Sequence, residues 1–251
     1  MGSVTVKSRR EIELMRDAGK LLSDVHNRLA EEIAPGITSM DLDRLGEELI
    51  RKSGSIPSFL GYEGYPASVC VSINDEVVHG IPRADRYINE GDIVSLDIGL
   101  IHNGYHSDAA RTHAVGKCSG EALALIKVTE ESFFEGIKQA KAGNHLYDIS
   151  AAIGNYCTSR GYGVVRDLTG HGIGTQMHEE PSIPNFPQRR KGILLCAGMT
   201  LAIEPMINIG RADVEFGDDG WRCTTADGSL SAHYENTILV TDGEPEILSL
   251  Q

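Results

Sequence analysis

Apolar residues return every three or four positions behind Ser8-Arg9-Arg10-Glu11, at Ile12, Met15, Leu22, Val25, Leu29 and Ile33. That period belongs to an amphipathic helix, and Ser8 with Glu11 three residues on is a capping box that starts it. Pro35-Gly36 ends the pattern. A second helix is predicted from Thr38 or Ser39 to Gly54, with Leu42, Leu45 and Leu49 facing inward. A loop rich in Gly, Pro and Tyr (residues 59–66) then leads to a predicted strand over 67–73, the segment Val77-Val78-His79-Gly80, and a turn at 89–92.

Over residues 92–115 the period falls to two. Asn103-Gly104 is a strong signal for a two-residue hairpin, which pairs His102 with Tyr105, Gly99 with Asp108 and Asp97 with Ala110. Alternation puts Val94, Leu96, Ile98 and Leu100 on one face and Ser95, Asp97 and Gly99 on the other. Asp97 and Asp108 then share a face as diagonal neighbours, with Cβ atoms roughly 7–8 Å apart or less. Two acids there need a positive partner. Arg111 or a metal ion both qualify at this point.

Helical spacing returns over residues 121–141 and 146–160, with Gly143 between the two segments and Gly161 after them. At an offset of 107 residues Gly36 meets Gly143, Asp41 meets Asp148, Leu42 meets Ile149 and Gly54 meets Gly161. The order of two helices followed by strands thus occurs twice, in halves of about 1–116 and 117–251. This predicts an α+β fold of two similar halves in a single domain, with antiparallel sheets and the active face between them.

Two later strands each carry one acid inside an apolar run. Residues 199–206 (MTLAIEPM) enclose Glu204, with Pro205 imposing an edge or a bulge, and residues 231–241 (SAHYENTILVT) enclose Glu235. Buried glutamate needs a partner. Between them, residues 168–181 (LTGHGIGTQMHEEP) fit neither a dinucleotide-binding nor a phosphate-binding glycine loop, and position 182 is serine, which excludes the HExxH metal helix. His171, flanked by glycines in a predicted loop, and His178 seven residues on are what this segment offers.

A net charge of −13 argues against nucleic acid as the main partner, since phosphate contact needs a basic face. Five dispersed cysteines form no CxxC pair and fit a reducing compartment. Residues 1–10 are polar, and no apolar run is long enough to span a membrane. The expectation is a soluble cytoplasmic protein.

HGIP (79–82), the Asp97 and Asp108 hairpin, GHGIG (170–174), HEEP (178–181), IEPM (203–206) and YEN (234–236) follow one another in the order and spacing of the type I methionine aminopeptidases. The resemblance covers nearly the whole chain. With no zinc-finger extension and no long insertion between His178 and Glu204, it is similar to the short bacterial class. It implies the pita-bread fold and two divalent ions, Mn, Fe, Co or Zn, held by Asp97, Asp108, His171, Glu204 and Glu235. Four carboxylates and one imidazole suit these metals, and two dications balance the four negative charges.

By the same resemblance Asp108 and Glu235 bridge the ions, Asp97 completes one, His171 with Glu204 completes the other, and a water activated there attacks the carbonyl after the first methionine. Glu204 takes that water's proton, His178 donates to the oxyanion, and His79 contacts the scissile amide. The methionine pocket falls to Phe59, Tyr62, Tyr65, Cys70, Met177 and Trp221. Sulfur packs well on aromatic edges, although Phe59 and Cys70 also suit ordinary core packing. Asn74 and Ser231 resemble a site for one Na or K ion. The resemblance implies N-terminal Met peptides and nascent chains as partners; composition and charge lead us to expect a monomer with no membrane and no sequence-specific nucleic-acid partner, and a ribosome association that is weak or uses a face such as Arg189-Arg190-Lys191.

Two positions depart from the family: Asn236 stands where relatives usually carry His, and Met177 where many carry Phe. Two rivals share the fold, a proline-specific dipeptidase and a non-catalytic binding protein. The first carries an extra N-terminal domain, whereas the first core helix here begins by Ser8; the second loses metal ligands that this sequence keeps.

Overall fold

In the computed structural model, which describes residues 4–250, the capping box at Ser8 forms in both directions. The Glu11 N–H donates to Ser8 Oγ at 3.4 Å and the Ser8 N–H to Glu11 Oε2 at 2.7 Å. Residues 1–3 of the polar N-terminal stretch lie outside the described residues.

The first half runs α1 (Arg9–Glu32), α2 (Ser39–Lys52), β1 (Ile56–Pro57), β2 (Val69–Ile73), β3 (Glu76–Val78), β4 (Ile93–His102) and β5 (Tyr105–Ala114). The second repeats two helices, α3 (Gly120–Ile137) and α4 (Leu146–Thr158), before β6 (Gly163–Val164), β7 (Gly170–Gly172), β8 (Glu179–Ile183) and β9 (Thr200–Ile203). It ends with β10 (Met206–Asn208), β11 (Val214–Phe216), β12 (Cys223–Thr225), β13 (Ser231–His233), β14 (Glu235–Leu239) and β15 (Glu246–Ile247).

The β4–β5 hairpin has the predicted register: His102 faces Tyr105, Gly99 faces Asp108 and Asp97 faces Ala110. Asn103 and Gly104 both take positive φ, 49° and 84°, as this tight turn requires. Val94, Leu96, Ile98 and Leu100 pack beneath α1 and α2 with Leu22, Val25, Leu29 and Leu42. A matching cluster in the second half joins Phe133 and Ile137 of α3, Ile149 and Ile153 of α4, and Leu201, Ile203 and Ile238 of the sheet.

The hairpin lies in a nine-stranded sheet with the path β1-β4-β5-β14-β9-β7-β8; β2 also pairs with β4 and β15 with β14. The two halves meet where β14 pairs antiparallel with β5, Glu235 opposite Ala110 and Asn236 opposite Ala109. Small sheets β13-β10-β6 and β11-β12-β3 flank it.

Three expectations are corrected. The third helix ends at Ile137, short of Lys141, because the Ala142 N–H turns away to the Thr241 carbonyl at 2.9 Å. The single strands predicted over 199–206 and 231–241 are each two strands. Pro205, which has no N–H to give a ladder, separates β9 from β10. Tyr234 separates β13 from β14, and its N–H donates to the Pro205 carbonyl at 3.2 Å. At these facing breaks the chain passes from the large sheet into a small one. Finally, His171 sits on a strand, not in a loop.

Candidate metal centre and substrate cavity

Five adjacent strands each deliver one predicted donor. Along β4-β5-β14-β9-β7 these are Asp97, Asp108, Glu235, Glu204 directly after β9, and His171. Ala110 lies opposite both Asp97 and Glu235, and Ala202 opposite both His171 and Thr237, so small residues fill the positions between the donors.

Nε2 of His171 is 3.9 Å from Asp108 Oδ2 and 3.7 Å from Glu204 Oε1. Those separations are too long for hydrogen bonds, but two donors each about 2.1 Å from one ion stand roughly 3–4 Å apart. Asp97 Oδ1, Asp108 Oδ1 and Glu235 Oε1 are buried with no hydrogen-bond partner. Arg111 does not neutralise them. Its guanidinium donates to the carbonyls of Ala110 and Glu235 and, at 2.5 Å, to Asn236 Oδ1, and it lies 4.4 Å over the Tyr234 ring.

Burial first, and then mutual repulsion, push the carboxyls of Asp97, Glu204 and Glu235 well above the usual range, and burial raises Asp108 as well. Burial drives the His171 imidazole down to about 3, so it is neutral and able to ligate. Its Nδ1 meets the Gly172 carbonyl at 2.9 Å, which turns Nε2 toward the acids. Orphaned oxygens, a neutral imidazole and ionisable acids fit divalent cations. Asp108, His171 and Glu235 can converge on one ion, and Glu204, His233 and Glu235 on another.

The glycines beside His171 have a steric reason that lies away from the imidazole. A Cβ on Gly170 would stand 2.5 Å from the Ala202 carbonyl oxygen, and one on Gly172 2.2 Å from that of Glu180. Both neighbouring strands therefore approach β7 closely, and the imidazole is held between them.

The donors floor a cavity of about 320 Å³. Phe59, Tyr62, Tyr65, Cys70, Met177 and Trp221, all predicted for the pocket, line it together with His79 and His178. Phe59, Tyr65, Cys70 and Met177 are buried in one cluster, on which Tyr62 and Trp221 pack, and the Tyr65 and Trp221 rings meet edge to face at 5.1 Å. Gly99, between the two aspartates, is the seat of this wall: a Cβ there would come 2.7 Å from the Phe59 ring.

Tyr62 Oη meets His178 Nδ1 at 2.8 Å, and the His178 ring stands edge-on to His171 at 4.4 Å. With the tyrosine hydroxyl donating, Nε2 of His178 carries the proton and is a hydrogen-bond donor. His79 holds φ at 58°, unusual for a residue with a side chain, and its ring lies edge-on to Trp221 at 6.1 Å.

Asn74 and Ser231 are brought together by a 2.8 Å bond from the Ser231 N–H to the Asn74 carbonyl. The Asn74 side chain bonds Asp92 and the Ile93 N–H, and Ser231 Oγ donates to the Ile207 carbonyl. Asn236, fully buried, accepts from Arg111 and from Ser249 Oγ.

Sequence reasoning missed Glu63, Asp167, Leu168 and Thr169 on the cavity wall, and His233 beneath it. The wall residues carry no local signal. His233 carries one, since it stands two positions before Glu235 and period-2 alternation puts both on one face.

Residues 13–242 match the family model of metallopeptidase family M24. The chain is 53% identical over 247 residues to a methionine aminopeptidase of Clostridium acetobutylicum, covering 98% of this chain and 99% of that one. A crystal structure of methionine aminopeptidase from Thermotoga maritima superposes with a TM-score of 0.97 at 42% identity, over 99% of this chain and all of that one. The prolidase of Pyrococcus furiosus, at 23% identity and a TM-score of 0.79, matches 98% of this chain but 65% of its own length, a likeness of fold alone.

Proposed function

Since the chain belongs to metallopeptidase family M24, and within it to the methionine aminopeptidases, we propose that it removes N-terminal methionine from peptides and nascent chains whose second residue is small. The fold is that family's pita-bread fold, and the activity is that of a metal-dependent exopeptidase. The observation that carries the specificity is a cavity floored by five ligand-type donors and walled by aromatic rings and Met177. We read residues 1–251 as one catalytic domain of two similar halves.

In this reading Asp97, Asp108, His171, Glu204 and Glu235 would hold two divalent ions. Such a pair would supply a water acidic enough to attack at neutral pH and would polarise the scissile carbonyl. Glu204 receives the proton lost by the attacking water and passes it to the leaving amine. His178, its Nδ1 engaged by Tyr62, donates Nε2–H to the oxygen that gains charge. His79 contacts the scissile amide, and the thioether of the substrate packs on Tyr65 and Trp221. A Na or K ion at Asn74 and Ser231 rests on their adjacency and on the resemblance.

Peptides beginning Met-Gly, Met-Ala, Met-Ser, Met-Thr, Met-Pro, Met-Val or Met-Cys should be cut, and those beginning Met-Lys or Met-Leu only slowly. Initial rates on a Met-Xaa-Ser series measure this; equal rates for all Xaa would refute the restriction. Cleavage of Xaa-Pro dipeptides with none of Met-Ala-Ser would favour the proline-specific rival.

Among the described residues no helix is long and apolar enough to cross a membrane. We place the enzyme in the cytoplasm, as a monomer acting near the ribosome. Residues 210–220, which include β11, set Arg211 against Asp213, Glu215, Asp218 and Asp219, a net of −3, and all five are exposed. Phosphate should repel this hairpin, so ribosome binding should be weak or use the exposed Arg189-Arg190-Lys191. Co-sedimentation across a salt series tests it. Tight binding lost on changing 211–219, with 189–191 intact, would contradict the charge argument.

A further inference from the structure

β7 and β8 are laddered through Gly170 with Ile183 and Gly172 with Glu179, so residues 173–178 between them lie outside the ladder. That turn carries Met177 of the pocket wall and the exposed His178. Glu179, the first residue of β8, closes the turn from within: its Oε1 accepts the Gln176 N–H at 3.3 Å. Its Oε2 accepts from outside the turn, from Lys7 Nζ and from Thr5 Oγ1, each at 2.6 Å. Lys7 Nζ also donates to Thr5 Oγ1.

The lysine–glutamate pair is buried, with side chains 5% and 9% exposed. A lone buried charge is costly, so each of the two needs the other. Burial pushes the Glu179 carboxyl up, but the bonds from Lys7 and Thr5 outweigh it and hold the group below its usual range, so the acid is ionised. Gly174 leaves the room: a Cβ there would stand 2.5 Å from Glu179 Oε1 and 2.6 Å from Lys7 Cε. The backbone of Lys7 is fixed in turn. Its N–H donates to the Gly198 carbonyl at 2.8 Å, and the Gly198 N–H donates to the Val240 carbonyl at 2.9 Å. Residues 5–7, ahead of the cap at Ser8, thus tie the turn to the segment that leads into β9.

We propose that Lys7 is a positioning residue for peptide hydrolysis: through Glu179 it fixes the turn 173–179, and with it the direction in which His178 presents Nε2 to substrate. This rests on the reading of His178 as the donor to the oxygen that gains charge. Tyr62 and His171 meet the His178 ring but do not hold its backbone. Placement matters because a shift of about 1 Å at a reacting group can cost about 10²-fold in rate.

The test compares kcat and KM on Met-Ala-Ser for the metal-loaded full chain in four forms: unaltered, Lys7→Met, His178→Ala, and the two changes together. Methionine keeps an unbranched stem without the charge. Lys7→Met should lower kcat by about 10- to 100-fold with metal content unchanged, a loss no greater than that of His178→Ala. In the His178→Ala background the same change should alter kcat less than about twofold, because the group that Lys7 positions is gone. A purely structural role would lower thermal stability and change kcat by the same factor in both backgrounds.

Equal losses in the two backgrounds, or full kcat in Lys7→Met, would overturn the proposal. Should Lys7→Met not fold, Lys7→Met with Glu179→Leu replaces the buried pair by apolar side chains, a change that proteins often tolerate, and the same comparison is made on it with and without His178→Ala. Full kcat in His178→Ala would overturn the reading of His178 and the proposal with it. A loss there beside full kcat in Lys7→Met overturns the proposal alone.

Discussion

Stripping divalent metal from the protein should abolish peptide hydrolysis, and Asp97→Ala or Asp108→Ala should do so even with metal in excess. The loss should exceed the roughly 10²–10³-fold that a single oxyanion donor contributes, because the acidified water and the polarised carbonyl disappear together. Asp97 and Asp108 keep unpartnered oxygens below the cavity, and Arg111, the nearest cation in sequence, is spent on carbonyls, Asn236 and Tyr234. Nothing else described at the site balances the acids. Activity of a chelator-treated sample on Met-Ala-Ser, before and after metal is restored, checks this; full activity in the stripped sample would end the argument.

A pH dependence accompanies that loss. Burial raises the carboxyls of Asp97, Asp108, Glu204 and Glu235, and mutual repulsion adds to it at Asp97, Glu204 and Glu235, so without metal they hold protons at pH values where free acids would not. Metal binds the ionised forms, so protons compete with it. Affinity should therefore weaken as pH falls through the raised values, and loading should release protons. Titration calorimetry in buffers of different ionisation enthalpy counts them.

His178→Ala should lower kcat by roughly 10²–10³-fold, the usual cost of one oxyanion donor, while metal occupancy stays unchanged. His178 is exposed on the cavity wall and its Nδ1 is occupied by Tyr62, so the ring offers Nε2–H to substrate instead of a lone pair to metal. Tyr62→Phe should cost less, since it removes the partner that selects the tautomer but leaves the donor. Steady-state rates beside metal analysis separate the outcomes. Metal lost together with activity in His178→Ala would make His178 a ligand.

The hairpin was legible because its determinants are local: Asn103-Gly104 sets the register, and the register alone puts Asp97 and Asp108 on one face. The caps of α1 and α2 are local in the same way, Ser8 with Glu11 and Thr38 with Asp41. The breaks at Pro205 and Tyr234 were not legible as a pair. Their meaning lies in a bond between segments 29 residues apart in sequence, from the Tyr234 N–H to the Pro205 carbonyl. His233 was overlooked for a related reason. Its alternation with Glu235 was visible, but the want of a partner for its ring appears only once the neighbouring strands are in place. Arg111 likewise reads as the natural counter-charge until its contacts with Asn236 and the Glu235 carbonyl are known.

The pairing of β5 with β14 fixes when the centre can come into being during synthesis. Asp108 exchanges two hydrogen bonds with Thr237, its N–H donating to Thr237 Oγ1 and that hydroxyl donating to its carbonyl, each 2.9 Å and across 129 residues of chain. A growing polypeptide that has folded its first hairpin already displays Asp97 and Asp108, but it must wait for the last strands before Glu235 closes the ring of donors. Contacts so distant along the chain form late and slowly. Metal capture is therefore a finishing step, and a truncated chain that stops before β14 should bind neither ion firmly, however well its first half is folded.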